Sequence, residues 1–354
     1  MSQWDVTVFA HDSAGLPRID PASPMMGTRI RHALRTTRLG LPGISPHEQI
    51  TVVFLGRGET YAAWRVSQSS TDLVLRFPWQ ELSEMPRPMS AEFECLHFVP
   101  PDVGTQPVAL LMDEGEEALG CPCIVTTYVE GSVKKPDQWS DRDLKNLADV
   151  IAHLHQSTSK PAGEVRFDLA AECEQTIDWY TTRHPHVFQC ATAELGRRVL
   201  AWLEAHAPSM ASCHRLALVH GDLVATNVVF LDDQPRFIDW EWAEFSDPAK
   251  DLVLIGGRVF ADPWYIPLSA AQVDSFIDTY LDALRTYAPG LDDGLGPQTR
   301  TDLRQRRAVW EIYERYASSL SFSLKAQTEK GTMYKDAVAT IHRQLGVVLN
   351  EQGF

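Results

Sequence analysis

The 354-residue sequence predicts an α+β chain in two lobes, a small β-rich one followed by a larger, mainly helical one. Three observations carry that expectation. Ile50–Leu55, Tyr61–Val66 and Leu73–Phe77 are short apolar runs rich in β-branched and aromatic residues, and Val108–Met112 and Cys123–Val129 add two more. From Ser140 onward apolar residues recur at helical spacing, as at 144, 147, 150, 151 and 154. Between helical patterns stands Val219–Glu241, VHGDLVATNVVFLDDQPRFIDWE, in which two short apolar runs flank a polar turn.

Taken in order, residues 1–22 show little periodicity and read as an arm. Met25–Thr37 has apolar residues at helical spacing and arginines on the remaining face, and Leu41-Pro-Gly-Ile-Ser-Pro46 breaks it. Gly56-Arg-Gly-Glu-Thr60 joins the first two strands. A glycine-bearing turn lets backbone amides approach phosphate, which makes Gly56 and Gly58 candidates; an ordinary hairpin loop has the same composition. No G-K-[ST] follows, so this is not a Walker A loop. Ser90–Phe98 reads as a short helix capped by Ser90, and Asp113–Glu117 as an acidic turn. Glu130-Gly131 ends the last strand and reads as a hinge between the lobes.

Ser140–Ser157 is the next helix, with Ser140 and Asp143 in a capping pattern. Its His153 and His155 diverge by about 200° around a helix and cannot share one ion, so packing is expected of both. Residues 168–206 carry two helical patterns, the first bearing Glu172, Glu174, Asp178, Trp179 and Tyr180. Asp247-Pro248 starts a helix, and Gln272–Tyr287, Thr301–Leu324 and Tyr334–Leu349 close the chain as amphipathic helices. The expected divisions are 1–48 (arm and helix), 49–130 (β-rich lobe) and 131–354 (helical lobe).

Composition narrows the classes. A formal charge of −15 argues against a nucleic-acid partner, whose binders carry a basic stripe, and suits a cationic small molecule. No apolar run approaches the roughly 18 residues of a membrane span, and the N-terminus lacks a basic start and a long apolar segment. A cytoplasmic protein without a membrane partner is expected. Six scattered cysteines form neither a disulfide framework nor a zinc pattern, and Cys121-Pro-Cys123 reads as buried side chains.

The chemistry concentrates in 219–241. Asn227 and Asp239 are oxygen ligands of the kind Mg²⁺ favours, and Asp222 just before them can orient and deprotonate a hydroxyl. Aspartate and asparagine are also ordinary turn residues, so the conjunction carries the reading and no single residue does.

H-G-D-x4-N at 220–227, followed by I-D at 238–239, resembles the catalytic and metal-binding segment of the aminoglycoside phosphotransferase family, small-molecule relatives of protein kinases. The resemblance spans roughly 45–350. It implies a protein-kinase-like two-lobed fold, ATP or GTP as co-substrate with Mg²⁺, Asp222 as the group that accepts the acceptor's proton, and His220 shaping the loop. Asn227 and Asp239 would hold the metal, and backbone at Thr127, Tyr128 and Val129 would receive the base. Kinase-like folds carry a lysine on the third strand, paired with a helix glutamate; here no lysine precedes Lys134. Arg76 stands in that place, with Glu92 as its implied partner and Glu94 as the competitor. Trp240-Glu241 replaces the protein-kinase F-G, which implies no activation switch of that kind. The D-P-x-x-D-L stretch at 247–252 also matches, and its aspartates are expected to fix loop and helix.

The function expected is phosphotransfer from ATP or GTP to a hydroxyl of a small molecule, an antibiotic of aminoglycoside, macrolide or nucleoside type. Two alternatives stand beside it: a metabolic kinase of the choline or homoserine kind, and a nucleotide-binding protein that has lost catalysis, suggested by the missing lysine. A metal-dependent hydrolase lacks its H-E-x-x-H.

Overall fold

A computed structural model describes residue 16 and residues 18–85, 87–188, 190–287, 297–327 and 331–354, so most of the arm expected over 1–22 lies outside the described residues. The chain divides into two units. One runs to Glu130 and includes Trp240–Trp242; the other comprises Gly131–Asp239 and Ala243–Phe354.

The first unit opens with helix α1 (Pro24–Arg35), followed by strands β1 (Thr51–Arg57), β2 (Tyr61–Gln68) and β3 (Thr71–Pro78). Helix α2 (Met89–Leu96), strand β4 (Pro107–Leu111), helix α3 (Asp113–Leu119) and strand β5 (Cys123–Thr127) complete it. The strands form one antiparallel sheet in the order β1-β2-β3-β5-β4, which makes β3 the central strand. Side chains alternate across it: Leu73, Leu75 and Phe77 join the apolar cluster with Met26 and Ile30 of α1. Arg76 therefore projects from the opposite face.

Helix α1 starts where Pro24 needs no amide partner and Ser23 Oγ accepts from the Met25 amide at 3.3 Å. Two expectations shift. The Asp113–Glu117 stretch is the start of α3, and Asp113 at its first position complements the helix dipole. Gly120 ends that helix at φ 68°. The second helix begins at Met89 with Pro88 in extended backbone at its cap position, so Ser90 lies inside it. Cys121 and Cys123 are buried free thiols, and burial pushes Cys121 up to about 12.

The second unit carries β6 (Ser132–Val133), α4 (Asp141–Thr158), β7 (Lys160–Pro161), α5 (Leu169–Arg183), α6 (Cys190–Met210) and β8 (Arg215–Val219). A hairpin of β9 (Val228–Leu231) and β10 (Gln234–Phe237) follows, then β11 (Glu244–Ser246), α7 (Ala249–Leu254), β12 (Gly256–Gly257) and β13 (Ile266–Pro267). Helices α8 (Ala270–Tyr287), α9 (Pro297–Lys325) and α10 (Gly331–Glu351) end the chain. Leu231 pairs Gln234 across a two-residue turn, with Asp232 at φ 54° as such tight hairpins require. Helix α4 has the full capping box: Ser140 Oγ accepts from the Asp143 amide at 3.2 Å, and Asp143 Oδ2 accepts from the Ser140 amide at 2.9 Å. Burial would raise the Asp143 carboxyl, but Lys134 and Ser140 hold it below its ordinary value. α9 is the long helix against which α6, α7 and α10 pack.

One close approach in the first unit is testable. Trp64 is buried, its Nε1–H donates to Pro21 O at 2.7 Å, and a Cβ on Gly27 would stand 2.5 Å from its ring. Gly27→Ala should therefore destabilise the protein by about 1–3 kcal/mol despite alanine's better helix propensity; urea unfolding curves check it, and an unchanged or raised midpoint would refute the packing argument.

Candidate active site

The second unit presents residues 219–239 of that segment as a loop held by backbone and side-chain hydrogen bonds. The chain leaves β8, and Gly221 takes φ 78°, a left-handed conformation that glycine adopts without strain. Asp222 O then accepts from the Val224 amide at 2.8 Å, and a single 3₁₀ turn at Ala225–Asn227 leads into β9. Ala225 N donates to Trp264 O at 2.8 Å. His220 is fully buried. Its Nε2–H donates to Ile238 O at 2.9 Å, which makes Nδ1 the acceptor for the Asp222 amide at 3.3 Å. The ring thus ties the Asp222 side of the loop to the residue just before Asp239.

Asn227 closes the other side. Its Nδ2 donates to Asp222 Oδ2 at 3.0 Å and to Asp222 O at 2.9 Å. Ile238 N donates to Asn227 O at 3.1 Å. With both amide protons spent on Asp222, the Asn227 carbonyl Oδ1 is turned to the other side, the orientation a hard cation needs. Asp239 follows at φ 66°, an uncommon conformation for a residue with a Cβ. Among the described residues no cluster of three or more His, Cys, Asp or Glu could hold a metal by itself. One carboxylate and one amide oxygen instead suit Mg²⁺, which keeps waters and takes its remaining ligands from phosphates.

Behind the loop stands Asp251 of α7, wholly buried. Its Oδ2 accepts from the His220 amide at 2.8 Å and its Oδ1 from the Gly221 amide at 3.1 Å. His155 Nε2 donates to Oδ2 at 3.1 Å, while its Nδ1 meets the Tyr280 hydroxyl at 3.0 Å. Burial alone would raise this carboxyl; the hydrogen bond and charge of His155, followed by His220, hold it below its ordinary value. His155 is thus a polar anchor, beyond the packing role expected of it. The signal was its place on the buried stripe of α4, after Leu144, Ala148 and Ile151, where a polar side chain requires a partner. His153 faces away and stacks on Tyr287, ring centroids 4.8 Å apart.

In the first unit Arg76 forms an ion pair with Glu92, which is buried, whereas Glu94 is exposed. Arg76 Cζ also lies 4.2 Å from the centroid of the Tyr61 ring, a contact the sequence did not suggest. Gly56 sits at an irregularity in the β1–β2 pairing, and a Cβ there would meet nothing within 4 Å. Gly58 N donates to Tyr61 O at 2.8 Å, and a Cβ at 58 would only touch that oxygen at 3.6 Å. In the 127–129 window, Thr127 N donates to Gln106 O and Tyr128 N to Asp72 O, both at 3.0 Å. Val129 is the member whose amide makes no hydrogen bond among the described residues.

Comparison with known proteins agrees with this architecture. A choline kinase from Cryptosporidium parvum Iowa II superposes with a TM-score of 0.62 at 12% identity, covering 92% of this chain and 97% of that one. APH(2")-IIia, solved with GDP and kanamycin, gives 0.53 at 16% identity over 87% and 96%. A thermostable mutant of aminoglycoside phosphotransferase APH(4)-Ia, solved with AMP-PNP and hygromycin B, gives 0.52 at 14% identity over 87% and 96%. These likenesses show the fold: an antiparallel sheet unit and a helical unit of the kinase-like class. A model of the phosphotransferase enzyme family, APH, matches residues 51–290, and the chain belongs to that family. The protein is thus a small-molecule phosphotransferase that acts on hydroxyl groups.

Asp251 makes a prediction in two parts. Asp251→Asn keeps one carbonyl acceptor but sets an NH2 against one of the two backbone amides, and should lower turnover at least tenfold and stability by about 3 kcal/mol. Its folded carboxyl lies below the ordinary 3.8, so its stabilisation is complete at neutral pH and fades only as pH falls below about 4 through that lower value. The variant should therefore show a shallower loss of stability than wild type as pH falls below about 4. Parallel acid limbs in the two proteins' unfolding curves would contradict the assignment.

Proposed function

We propose that the protein transfers the terminal phosphoryl group of ATP or GTP, with Mg²⁺, to a hydroxyl of a small amine-bearing molecule, most simply an antibiotic. The observation that carries the reading is the Asp222–Asn227 pair: the amide protons of Asn227 orient the Asp222 carboxylate, and its carbonyl oxygen is left for a cation. Asp239 would be the second metal ligand, and the metal would supply charge neutralisation on the phosphates. Asp222 accepts the acceptor's hydroxyl proton as that oxygen bonds to the terminal phosphorus. The bond from phosphorus to the bridging oxygen breaks, and the nucleoside diphosphate leaves. His220 holds the loop through its two ring nitrogens and takes no proton in this scheme.

The first unit is assigned the nucleotide. Arg76, a charged planar guanidinium paired with Glu92, would bind phosphate oxygens in bidentate fashion. The base would meet the backbone at Thr127, Tyr128 and Val129, with the Val129 amide as donor. Gly56 and Gly58 would let the backbone approach the phosphates. Neither glycine is demanded by a positive φ or by crowding from the protein, and that supports a role in ligand approach.

For the acceptor, the support is charge and surface chemistry. The chain carries −15, and a depression of about 310 Å³ on α5 and α9 is lined by Glu172, Trp179 and Tyr313, with Gln175 and Thr176. Carboxylate beside aromatic ring suits a protonated amine. Choline-like acceptors share that chemistry and form the second reading.

Acceptor-dependent release of nucleoside diphosphate, screened over aminoglycosides, macrolides, nucleoside antibiotics, choline and homoserine with ATP and with GTP, tests the proposal. A response to choline or homoserine alone would replace the antibiotic reading, and silence across the panel would overturn it. Asp222→Ala should keep nucleotide affinity within about twofold and cut turnover by about 10²–10⁴; full activity in that variant would sink the mechanism. Gly56→Ala should leave stability unchanged or raise it by about 0.5 kcal/mol while increasing the nucleotide KM. A KM equal to wild type would remove Gly56 from the site.

A further inference from the structure

We propose that Tyr61 is a positioning residue: its ring holds the Arg76 guanidinium in the plane from which it grips the nucleotide. The inference rests on the proposed function and concerns only the first unit. Strand register creates the contact. Ala63 pairs with Arg76 and Tyr61 with Pro78, so Tyr61 and Arg76 are diagonal neighbours on one face of the sheet. That face is opposite the apolar cluster under α1, which includes Trp64 and Val66 but not Tyr61. The guanidinium is thereby held by two partners, Glu92 through the ion pair and the Tyr61 ring, over which Cζ lies 4.2 Å from the centroid.

The Tyr61 hydroxyl is buried and lies near the Glu92 carboxylate without reaching hydrogen-bonding geometry. Burial first, then the Glu92 charge, raises the phenol far above its ordinary range, so it stays neutral at every working pH. The ring is therefore a neutral π surface beside an ion pair. A lysine at 76 would gain little direction from it, because an ammonium has no plane; a guanidinium has one, and stacking sets its orientation. Tyr61 O also accepts from the Gly58 amide at 2.8 Å, so the same residue anchors the glycine turn. The arginine that replaces the usual lysine comes with an aromatic support of its own.

The test measures Mg·ATP and Mg·GTP affinity by calorimetry for the full chain and for Tyr61→Phe, Tyr61→Leu, Arg76→Lys and the Tyr61→Leu/Arg76→Lys double variant. Tyr61→Phe should bind within about twofold of wild type and Tyr61→Leu about tenfold more weakly. At saturating nucleotide, kcat of Tyr61→Leu should stay within about threefold, placing the loss in KM. In the Arg76→Lys background, Tyr61→Leu should cost less than about twofold more. Thermal unfolding confirms that each variant is folded; if Tyr61→Leu is not, the volume-retaining Tyr61→Met takes its place. Undiminished affinity without the ring, or an equal loss with lysine at 76, would overturn the inference. Wild type that binds neither nucleotide would instead fail the proposed function itself, and this inference with it.

Discussion

Everything in the second unit's loop hangs on one buried carboxylate. Asp251 has no exposed surface, and a charge there is tolerable only if each oxygen is met by donors. Two of those donors are consecutive backbone amides, His220 and Gly221, and the third is the His155 ring. A carboxylate that accepts from two successive peptides fixes their planes, and so fixes where the next residue, Asp222, leaves the loop. Strain accumulates at the loop's far end. Asp239 at φ 66° costs on the order of 1–3 kcal/mol and persists only because its surroundings over-determine it. Ile238, just before it, is held at both ends of its peptide, by Asn227 O and by His220 Nε2.

Asp251 is itself placed by the way α9 grips α7. Arg306 Nε reaches Asp247 Oδ2 at 3.0 Å, and Trp310 Nε1 donates to the same oxygen at 3.1 Å, so the start of α7 is pinned. Asp247 also accepts from the Ala249 amide at 3.0 Å, serving the helix start that Pro248 cannot serve. At the far end, Arg307 Nε donates to Leu252 O at 3.0 Å and Arg315 Nη2 to Val253 O at 2.6 Å. These are carbonyls a short helix leaves without intrahelical partners. Three arginines buried along α9 would be expensive in isolation; here they are the capping groups of the helix that carries Asp251.

The elements of both units were readable because their signals are local. The hairpin with its Asp232-Asp233 turn, the capping box at Ser140 and the stripe on α4 each reside in fewer than about twenty residues, the scale on which periodicity and caps operate. Asp222, Asn227 and Asp239 were conspicuous for the same reason: their spacing is short and their chemistry is shared. What escaped was long-range. His155 meets Asp251 across 96 residues and Tyr280 across 125, and nothing in the sequence around position 155 names either partner. The acidic run 113–117 was misread because composition suggests a turn, while burial of Ala118 and Leu119 against the α1 core makes it a helix. Glu, Ala and Leu are themselves good helix formers, so propensity and burial agree there.

The same distinction explains the arginine of the first unit. Read locally, Arg76 is a defect, a lysine site without its lysine. Read with its sheet neighbours, it belongs to a set whose members require one another. A buried Glu92 needs a cation, a guanidinium offers a plane as well as a charge, and a plane can be directed by an aromatic ring placed two residues along the adjacent strand. Replacing one member by the family's commoner residue would leave the others without their reason. The substitution is better understood as a different solution to holding a positive charge still than as the loss of one, and that weighs against the reading in which the protein binds nucleotide but has given up catalysis.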